Sequence, residues 1–303
     1  MMWDTALALA ALLVLPVIYF GPRPLLLALC ATAVCLACDV LFCLVFRRTV
    51  GSGDPSPLVT GLVIALLMPA NAPYWLPALA AVFAMLAAKL PFGSTGRNLF
   101  NPAAAGVAFA TVCQPALLFS YADPAAGPLP LGDASQAVLG AAPGASLAQG
   151  LKPAILPLDM LWGVYPGPMG CTAALVIGAA SLYLFFKRTA QWETTVFFLL
   201  AAALAAVLFP RIACSALTSV KYELLSGSLL FCSVFLAGDP VTSPRTFTGR
   251  CLYGFLAGAL VMAVRHAGAY EQGACFAILI ANAFTPVFDQ WVLYIRMKGR
   301  RLP

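Results

Sequence analysis

Ten apolar segments, most of them close to the length of a bilayer crossing, occupy most of this chain and restrict its fold more than any other feature. A helix needs roughly 20 apolar residues to cross the hydrocarbon core. The third segment is short and ends near Pro69, which predicts a broken or half-crossing helix enclosed by other helices. We therefore predict an all-α integral membrane protein with about ten transmembrane helices, at residues 5–20, 24–46, 57–70, 73–90, 100–119, 170–186, 192–209, 223–238, 248–265 and 271–295.

The composition excludes a soluble protein. Hydrophobic residues make up 62% of the chain and charged residues only 9%, whereas roughly one quarter of a soluble domain is charged. The net charge of +6 does not indicate nucleic-acid binding, because the basic residues fall in short loops between apolar segments. No basic region precedes the first segment, so we expect it to be a retained span in the lipid bilayer.

The basic residues also predict the orientation. With the N-terminus inside, five of the 17 Lys and Arg residues fall outside, namely Arg23, Lys152, Arg211, Lys221 and Arg265. The remaining 12 fall in inner loops and the inner tail, the asymmetry that fixes orientation in membranes. We expect a multi-pass protein of a prokaryotic cell (inner) membrane with both termini in the cytoplasm.

One long interruption divides the chain. Residues 120–169 are rich in Pro, Gly, Ala and Ser, and they separate a first five-helix half, residues 1–119, from a second, residues 170–303. An odd number of helices in each half predicts two inverted repeats with short or broken helices. Sites in such proteins lie at the interface between the repeats.

Polar residues interrupt the apolar segments at a few places. In "SGDPSPLVTGLVIALLMPA", residues 52–70, Asp54 either contributes to an ion path or caps a helix. In "KLPFGSTGRNLFNPAAAGVAFA", residues 89–110, the amides of Asn98 and Asn101 match the edge of a flavin ring, or they form an Asn-Pro helix cap. Asn282 is a second ion-path candidate, because a polar residue in mid-bilayer requires a partner; the alternative is a hydrogen bond between helices.

Two further segments carry hydroxyl groups. In "AGDPVTSPRTFTGRCLYG", residues 237–254, Asp239 and Thr242 stand where a span ends, and they would contact a cation or cofactor or cap helices. In "PGASLAQGLK", residues 143–152, Ser146 is flanked by small residues in the outer loop, which is also typical of a plain linker.

No catalytic residues and no metal site are predicted. The chain has no nucleophilic triad and no P-loop, and His266 is its single histidine. Cys35 and Cys38 form a CxxC that would serve as a metal or iron–sulfur ligand pair. No second CxxC accompanies it, so we interpret the cysteines of this span as helix-packing residues.

Together the polar segments resemble the family that contains the D subunit of Rnf complexes and the B subunit of sodium-pumping NADH:quinone reductases. The matching stretches run in the family's order from about residue 50 to 292: "DPSPLVTGLVIALLMP", "KLPFGSTGRNLFNPAAAGVAFA", "GASLAQGLK", "LSGSLLFCSVFLAGDPVTSPRTFTGRCLYG" and "EQGACFAILIANAFTPVFDQW". The short chain is more similar to the Rnf subunit than to its longer relative.

The resemblance implies two flavins. Family members carry FMN joined through its phosphate to the threonine of a Ser-Gly-Ala-Thr motif, installed by a flavin transferase. Here Ser146 replaces that threonine after Gly144 and Ala145, and Pro143 replaces the leading serine. The relatives also bind riboflavin near the segment that contains Asn98 and Asn101. Cys171 stands where the family usually has a glutamate.

The resemblance also implies the role. We expect a membrane flavoprotein subunit of a translocase that passes electrons between ferredoxin- or NAD-linked partner subunits and couples this to Na+ or H+ movement. It would act with the A, B, C, E and G subunits of an Rnf-type complex and would not be catalytic alone. The alternative is a cofactor-free transporter similar to urea channels, or a structural membrane subunit.

Overall fold

The computed structural model describes residues 1–46, 54–93, 98–134, 136–268 and 273–299, and almost all of its regular structure is helical. The helices are α1 Met2–Phe20, α2 Arg23–Val45, α3 Ser56–Leu67, α4 Trp75–Phe83, α5 Pro102–Cys113, α6 Pro115–Leu118, α7 Pro143–Ala148, α8 Pro157–Trp162, α9 Ala174–Phe186, α10 Trp192–Leu208, α11 Ala216–Leu225, α12 Leu229–Phe235, α13 Phe247–Ala267 and α14 Ala274–Gly299. A π-helical stretch, Ala84–Lys89, continues α4, and a 3₁₀ turn spans Pro124–Ala126. Strands β1, Tyr121–Ala122, and β2, Leu139–Gly140, pair antiparallel with Tyr121 opposite Gly140.

Helix length and composition confirm the predicted fold class, an all-α integral membrane protein. Within the described residues, four helices are long and apolar enough to cross a membrane alone: α1, α2, α13 and α14. Five more apolar helices are shorter: α3, α4 with its π-helical continuation, α5, α9 and α10. The outer faces of α4, α5, α9 and α10 carry exposed large apolar side chains, as expected of surfaces that contact lipid, whereas α3 has none and is enclosed by other helices, as predicted.

Two predicted spans are broken rather than continuous. The segment 100–119 ends as α5 at Cys113 and resumes as the short α6, because Pro115 has no N–H group to continue the helical ladder. The segment 223–238 contains the end of α11 and all of α12, with Gly227 between them in the left-handed region at φ 63°. α3 is short, as predicted, so short or broken helices fall at the third, fifth and eighth places. The inverted repeat itself stays a prediction.

Small residues allow the helices to pack closely. α10 lies against α13, where a Cβ atom added to Gly254 or Gly258 would fall within 2.4 Å of the carbonyl oxygen of Thr194 or 2.2 Å of that of Phe198. This small-xxx-small spacing brings two helix backbones into direct contact, as is common between membrane helices.

The two ends of the bundle differ. The segment 120–169 covers one end, called here the loop end, where Leu129 N–H donates to the Phe20 carbonyl at 3.0 Å and Tyr19 Oη to the Trp162 carbonyl at 3.2 Å. At the other end, called here the α1 end, α1, α3, α5, α10 and α13 begin and α9 and α12 terminate. The Tyr183 hydroxyl donates to Asp4 there at 3.1 Å.

Candidate functional site

A cavity of about 230 Å³ opens between helices at the α1 end. We call it the inter-helix cavity. Most of its wall is apolar, and Val234, Phe235 and Leu236 of the α12 end are among its buried lining residues. A largely apolar pocket with a few polar groups is the usual form of a small-molecule site. The polar lining residues are Thr5, Ser56, Thr60, Asn98, Asn101, Thr189 and Asp239.

Interrupted helices build this cavity. α3 begins beside it, where the Asp54 carboxylate accepts a hydrogen bond from Ser56 N–H at 3.0 Å. α12 ends beside it at Phe235, and α5 begins beside it at Pro102. Helix ends leave backbone groups without helical partners, so they concentrate polar groups at one place within an apolar bundle.

Asn101 has a structural role in this wall. Its Oδ1 accepts hydrogen bonds from Ala103 and Ala104 N–H at 3.1 and 3.2 Å, which caps α5. Its Nδ2 donates to the Leu236 carbonyl at 3.4 Å and so joins the start of α5 to the end of α12. The sequence left open a helix cap or a ligand contact for Asn101, and its Oδ1 is engaged in the cap.

Asn98 differs from Asn101. Its Oδ1 is buried, lines the cavity and has no hydrogen-bond partner among the described residues. The hydroxyl of Thr189, a side chain 5% exposed, is likewise without a partner there. Buried polar atoms without partners are uncommon in proteins, and each requires an explanation. Sequence reasoning missed Thr189, because a threonine in a short loop between two spans has no distinguishing pattern.

Asp239 brings an ionisable group to the same wall. This half-buried carboxylate accepts hydrogen bonds from Val241 N–H at 3.2 Å and from the Thr242 hydroxyl at 3.4 Å. Burial disfavours the charged form and raises the pKa of Asp239 to about 6, although the two hydrogen bonds act in the opposite direction. Thr242 is buried and supports the carboxylate rather than lining the cavity.

Other predicted site residues lie elsewhere. Ser146, Gly144 and Ala145 belong to the short α7 of the outer segment, and Ser146 is half-buried. Leu147 next to Ser146 packs in a small separate core with Met160, Tyr165, Ile212 and Tyr222 at the loop end.

The two ion-path candidates are also apart from the inter-helix cavity. Asp54 lies at the start of α3, but it is not among the cavity's lining residues. Asn282 is fully buried on α14, where its Oδ1 accepts a hydrogen bond from the Tyr253 hydroxyl at 2.6 Å. Its Nδ2 has no partner in the described part of the chain. A role in ion movement stays a prediction for both residues.

The cysteines of the CxxC pair do not belong to a metal-binding group of the described residues. In the described ranges, no three His, Cys, Asp or Glu side chains lie close enough together to hold a metal ion. Cys35 is fully buried in the main core, and Cys38 packs against that core. Cys171 is buried as well, with its thiol 3.8 Å from the Leu66 carbonyl.

The fold and the cavity define a polytopic helical membrane protein with a mainly apolar, polar-edged site between helix ends. The chain belongs to the NQR2, RnfD, RnfE family, which it matches over residues 1–298.

Curated relatives are similar along most of the chain. It is 31% identical over 270 residues to the D subunit of the ion-translocating oxidoreductase complex of Halorhodospira halophila, covering 80% of this chain and 74% of that relative. It is 30% identical over 316 residues to the protein of the same name in Shigella dysenteriae, covering 93% and 90%. It is 31% identical over 277 residues to the B subunit of the Na(+)-translocating NADH-quinone reductase of Klebsiella pneumoniae, covering 87% of this chain but 65% of that relative.

Proposed function

We propose that this chain is a flavin-binding subunit of an ion-translocating oxidoreductase complex of the Rnf type, and that the inter-helix cavity holds a flavin ring. The observation that carries the proposal is the pair of buried, unpartnered polar atoms, Asn98 Oδ1 and Thr189 Oγ1, in a mainly apolar cavity of the described residues. The names of the relatives support membership of such a complex.

The residues present fit an isoalloxazine ring. The edge of that ring offers one N–H donor and several acceptors, and Asn98 and Thr189 can accept from it or donate to it. Buried Leu236, Phe235 and Val234 provide apolar contact surface. A bound flavin would supply the electron-carrying chemistry, while the protein sets its position and surroundings.

The chain's own contribution is to exclude water and to hold a proton. Negative charge added in an apolar environment is costly unless a cation or proton compensates it. Asp239 lines the cavity and has a pKa of about 6, so it can exchange a proton close to neutral pH. This gives a physical route from electron transfer to movement of H+, or of Na+ if a cation takes the proton's place.

The proposed arrangement has the α1 end, with the cavity and both termini, at the cytoplasmic face of the cell membrane. The basic residues of the inner loops support this orientation. The partners would be the other subunits of the complex, A, B, C, E and G.

A second flavin is proposed at the loop end, as FMN joined through its phosphate to Ser146. The half-buried serine lies on a short helix outside the membrane-spanning bundle, where a flavin transferase could reach it. After coexpression with that transferase, the intact mass should rise by one FMN residue in the wild type and stay unchanged in Ser146→Ala. An unmodified wild-type mass would contradict covalent attachment.

Flavin content tests the cavity directly. We expect the protein purified from membranes to release noncovalent flavin on denaturation, and Asn98→Ala to lose at least about tenfold in flavin affinity, since a buried hydrogen bond is removed. Asn71→Ala is the matched control, because Asn71 Oδ1 is also buried and unpartnered among the described residues but does not line the cavity. Absence of released flavin from the wild type would favour a cofactor-free transporter or a structural role.

A further inference from the structure

Asp239 belongs to a turn, residues 238–243, that is attached to the start of α10. We call it the Asp239 turn. Gln191, the N-cap residue of α10, donates from its N–H to the Gly238 carbonyl at 3.1 Å. Its Oε1 accepts a hydrogen bond from the Ser243 hydroxyl at 2.7 Å. Because these two contacts lie on either side of Asp239 in the sequence, one residue joins both ends of the turn to α10.

The contact with Ser243 continues to the main chain of Asp239. The Ser243 hydroxyl also donates to the Asp239 carbonyl at 2.7 Å, and Ser243 N–H donates to the same oxygen at 3.3 Å. Gln191 is 8% exposed and Ser243 3% exposed, so bulk water competes little for these hydrogen bonds. A buried polar chain therefore runs from the Gln191 side chain to the main chain that carries the carboxylate.

Gln191 is itself held by neighbouring groups. The Thr194 hydroxyl donates to Gln191 Oε1 at 3.2 Å. The Thr195 hydroxyl contacts the Gln191 carbonyl at 3.3 Å and the Ser233 carbonyl of α12 at 3.0 Å. A side chain whose conformation is fixed by its own hydrogen bonds can hold a functional group in position.

The ionisable groups around the Asp239 turn come from several helices. Those of the described residues at this end of the bundle are Asp4, Asp54, Arg188, Glu193, Arg250, Tyr253 and Asp289. The hydrogen bonds to the Asp239 carboxylate come instead from its own turn, from Val241 N–H and the Thr242 hydroxyl. Replacement of Gln191 removes none of the neighbouring charges, so it changes the support of the turn and not the charges around it.

We infer that Gln191 is a positioning residue for Asp239, and that it holds the Asp239 turn so that the carboxylate stays in the wall of the inter-helix cavity. Without this support the turn can move outward, and water can reach the carboxylate. The inference rests on the proposed proton exchange at Asp239. It adds the residue that keeps the exchanging group in place.

Infrared titration of the flavin-free protein measures the protonation of Asp239. The band of its protonated carboxyl group is the one that Asp239→Asn removes, and its midpoint in the wild type should lie near pH 6. Burial is the largest cause of the raised pKa of Asp239. We therefore expect Gln191→Leu, which is similar in size but has no acceptor, to lower the midpoint by about half a pH unit or more.

Two further variants separate positioning from a role in packing alone. Ser243→Ala should lower the midpoint as well, and the double variant should shift it no further than Gln191→Leu does, because both changes break one polar chain. Gln191→Glu keeps the acceptor oxygen and adds a negative charge, so it should raise the midpoint. A glutamine that only filled space would not give shifts of opposite sign.

Gln149→Leu is the matched control, because it removes an exposed glutamine at the loop end and should keep the wild-type midpoint. The Asp239 turn keeps the hydrogen bond from the Thr285 hydroxyl to the Thr242 carbonyl, at 3.0 Å, in every variant. We therefore expect all of them to fold, which thermal unfolding measures.

A folded Gln191→Leu protein with the wild-type midpoint would overturn the inference, as would a wild type without this carboxyl band near pH 6. The flavin released when the protein is stripped is measured on the same preparation. Absence of that flavin would overturn the proposed flavin site, whereas the titration of Asp239 would still decide the role of Gln191.

Discussion

Arg23 shows how backbone carbonyl groups can surround a buried charged side chain. It is 1% exposed, and its guanidinium donates to the carbonyls of Ala70, Ala72, Pro130 and Gly132 at the loop end while lying 4.9 Å from the centre of the Tyr74 ring. Four carbonyl dipoles replace water around the cation. The outer segment is thereby tied to the start of α2 and to the turn after α3.

Loss of the hydrogen bonds from Arg23 should destabilise the packing of the outer segment at the loop end. We expect Arg23→Lys, which lacks the planar donor fork, to lower the free energy of unfolding by about 2–4 kcal/mol, because buried carbonyls lose their donors. Limited proteolysis should then cleave residues 120–140 faster. Lys152→Gln, at an exposed position of the same segment, is the control. An unchanged rate of proteolysis in Arg23→Lys would show that the hydrogen bonds of Arg23 do not hold the outer segment in place.

Asp239 makes stability depend on pH. Its pKa of about 6 lies above the ordinary value of 3.8, so the folded protein binds this proton more tightly than the unfolded chain does. The resulting stabilisation is complete below about pH 4 and is lost as pH rises through about 6. In flavin-free protein, the unfolding temperature should fall between about pH 5 and 7, and Asp239→Asn should flatten this slope.

A control separates this effect from general titration. Asp133→Asn changes an exposed carboxylate at the loop end and should retain the wild-type slope. If Asp239→Asn and wild type showed the same pH dependence, the carboxylate would not be the group that titrates.

At the level of the helices, contact between backbones stabilises the pair α10 and α13. We expect Gly258→Ala to destabilise the protein by about 1–3 kcal/mol, because the added methyl group meets the Phe198 carbonyl oxygen at 2.2 Å. Gly178→Ala on α9 is the matched control, since its added Cβ has no atom within 4 Å and alanine favours helix. Thermal unfolding in detergent measures both. Equal effects would refute close packing at Gly258.

Helix boundaries were predicted more accurately where a proline marks the first turn than where a span is broken in its interior. Pro24, Pro57 and Pro102 each occupy a first helical turn, as proline prefers, and the predicted start of each span lies within two residues of the observed one. The break at Pro115 follows from the missing N–H, yet the apolar run 100–119 concealed it. The break at Gly227 has a local signal in the Ser226-Gly227 step, but the apolar residues on both sides concealed it.

For the site, residue type and position in the sequence predicted only some of the residues that line the cavity. Asn98, Asn101 and Asp239 were found from their positions next to predicted spans, and the structure brings all three to one cavity. The sequence could not distinguish the cap at Asn101 from the unpartnered amide oxygen of Asn98, because that depends on where the end of α12 lies. Thr189 lies in the turn after α9 and lines the cavity because of the long-range packing of that turn, which leaves no pattern along the chain.

For the whole molecule, the two ends carry different chemistry. The α1 end gathers helix ends and the carboxylate of Asp239 around the inter-helix cavity. The loop end is closed by Arg23 and by the buried group of Arg211, Glu223 and Arg265, with Arg211 Nε 2.6 Å from the Glu223 carboxylate. This asymmetry supports the proposal of electron transfer through a cofactor at one face of the membrane and covalent modification at the other.

The most direct measurement is a high-resolution density map of the native complex at the inter-helix cavity. We predict a planar tricyclic density against Leu236, with its edge within hydrogen-bonding distance of Asn98 Oδ1 and Thr189 Oγ1. Density explained wholly by water, lipid or side chains at that position would contradict the flavin site.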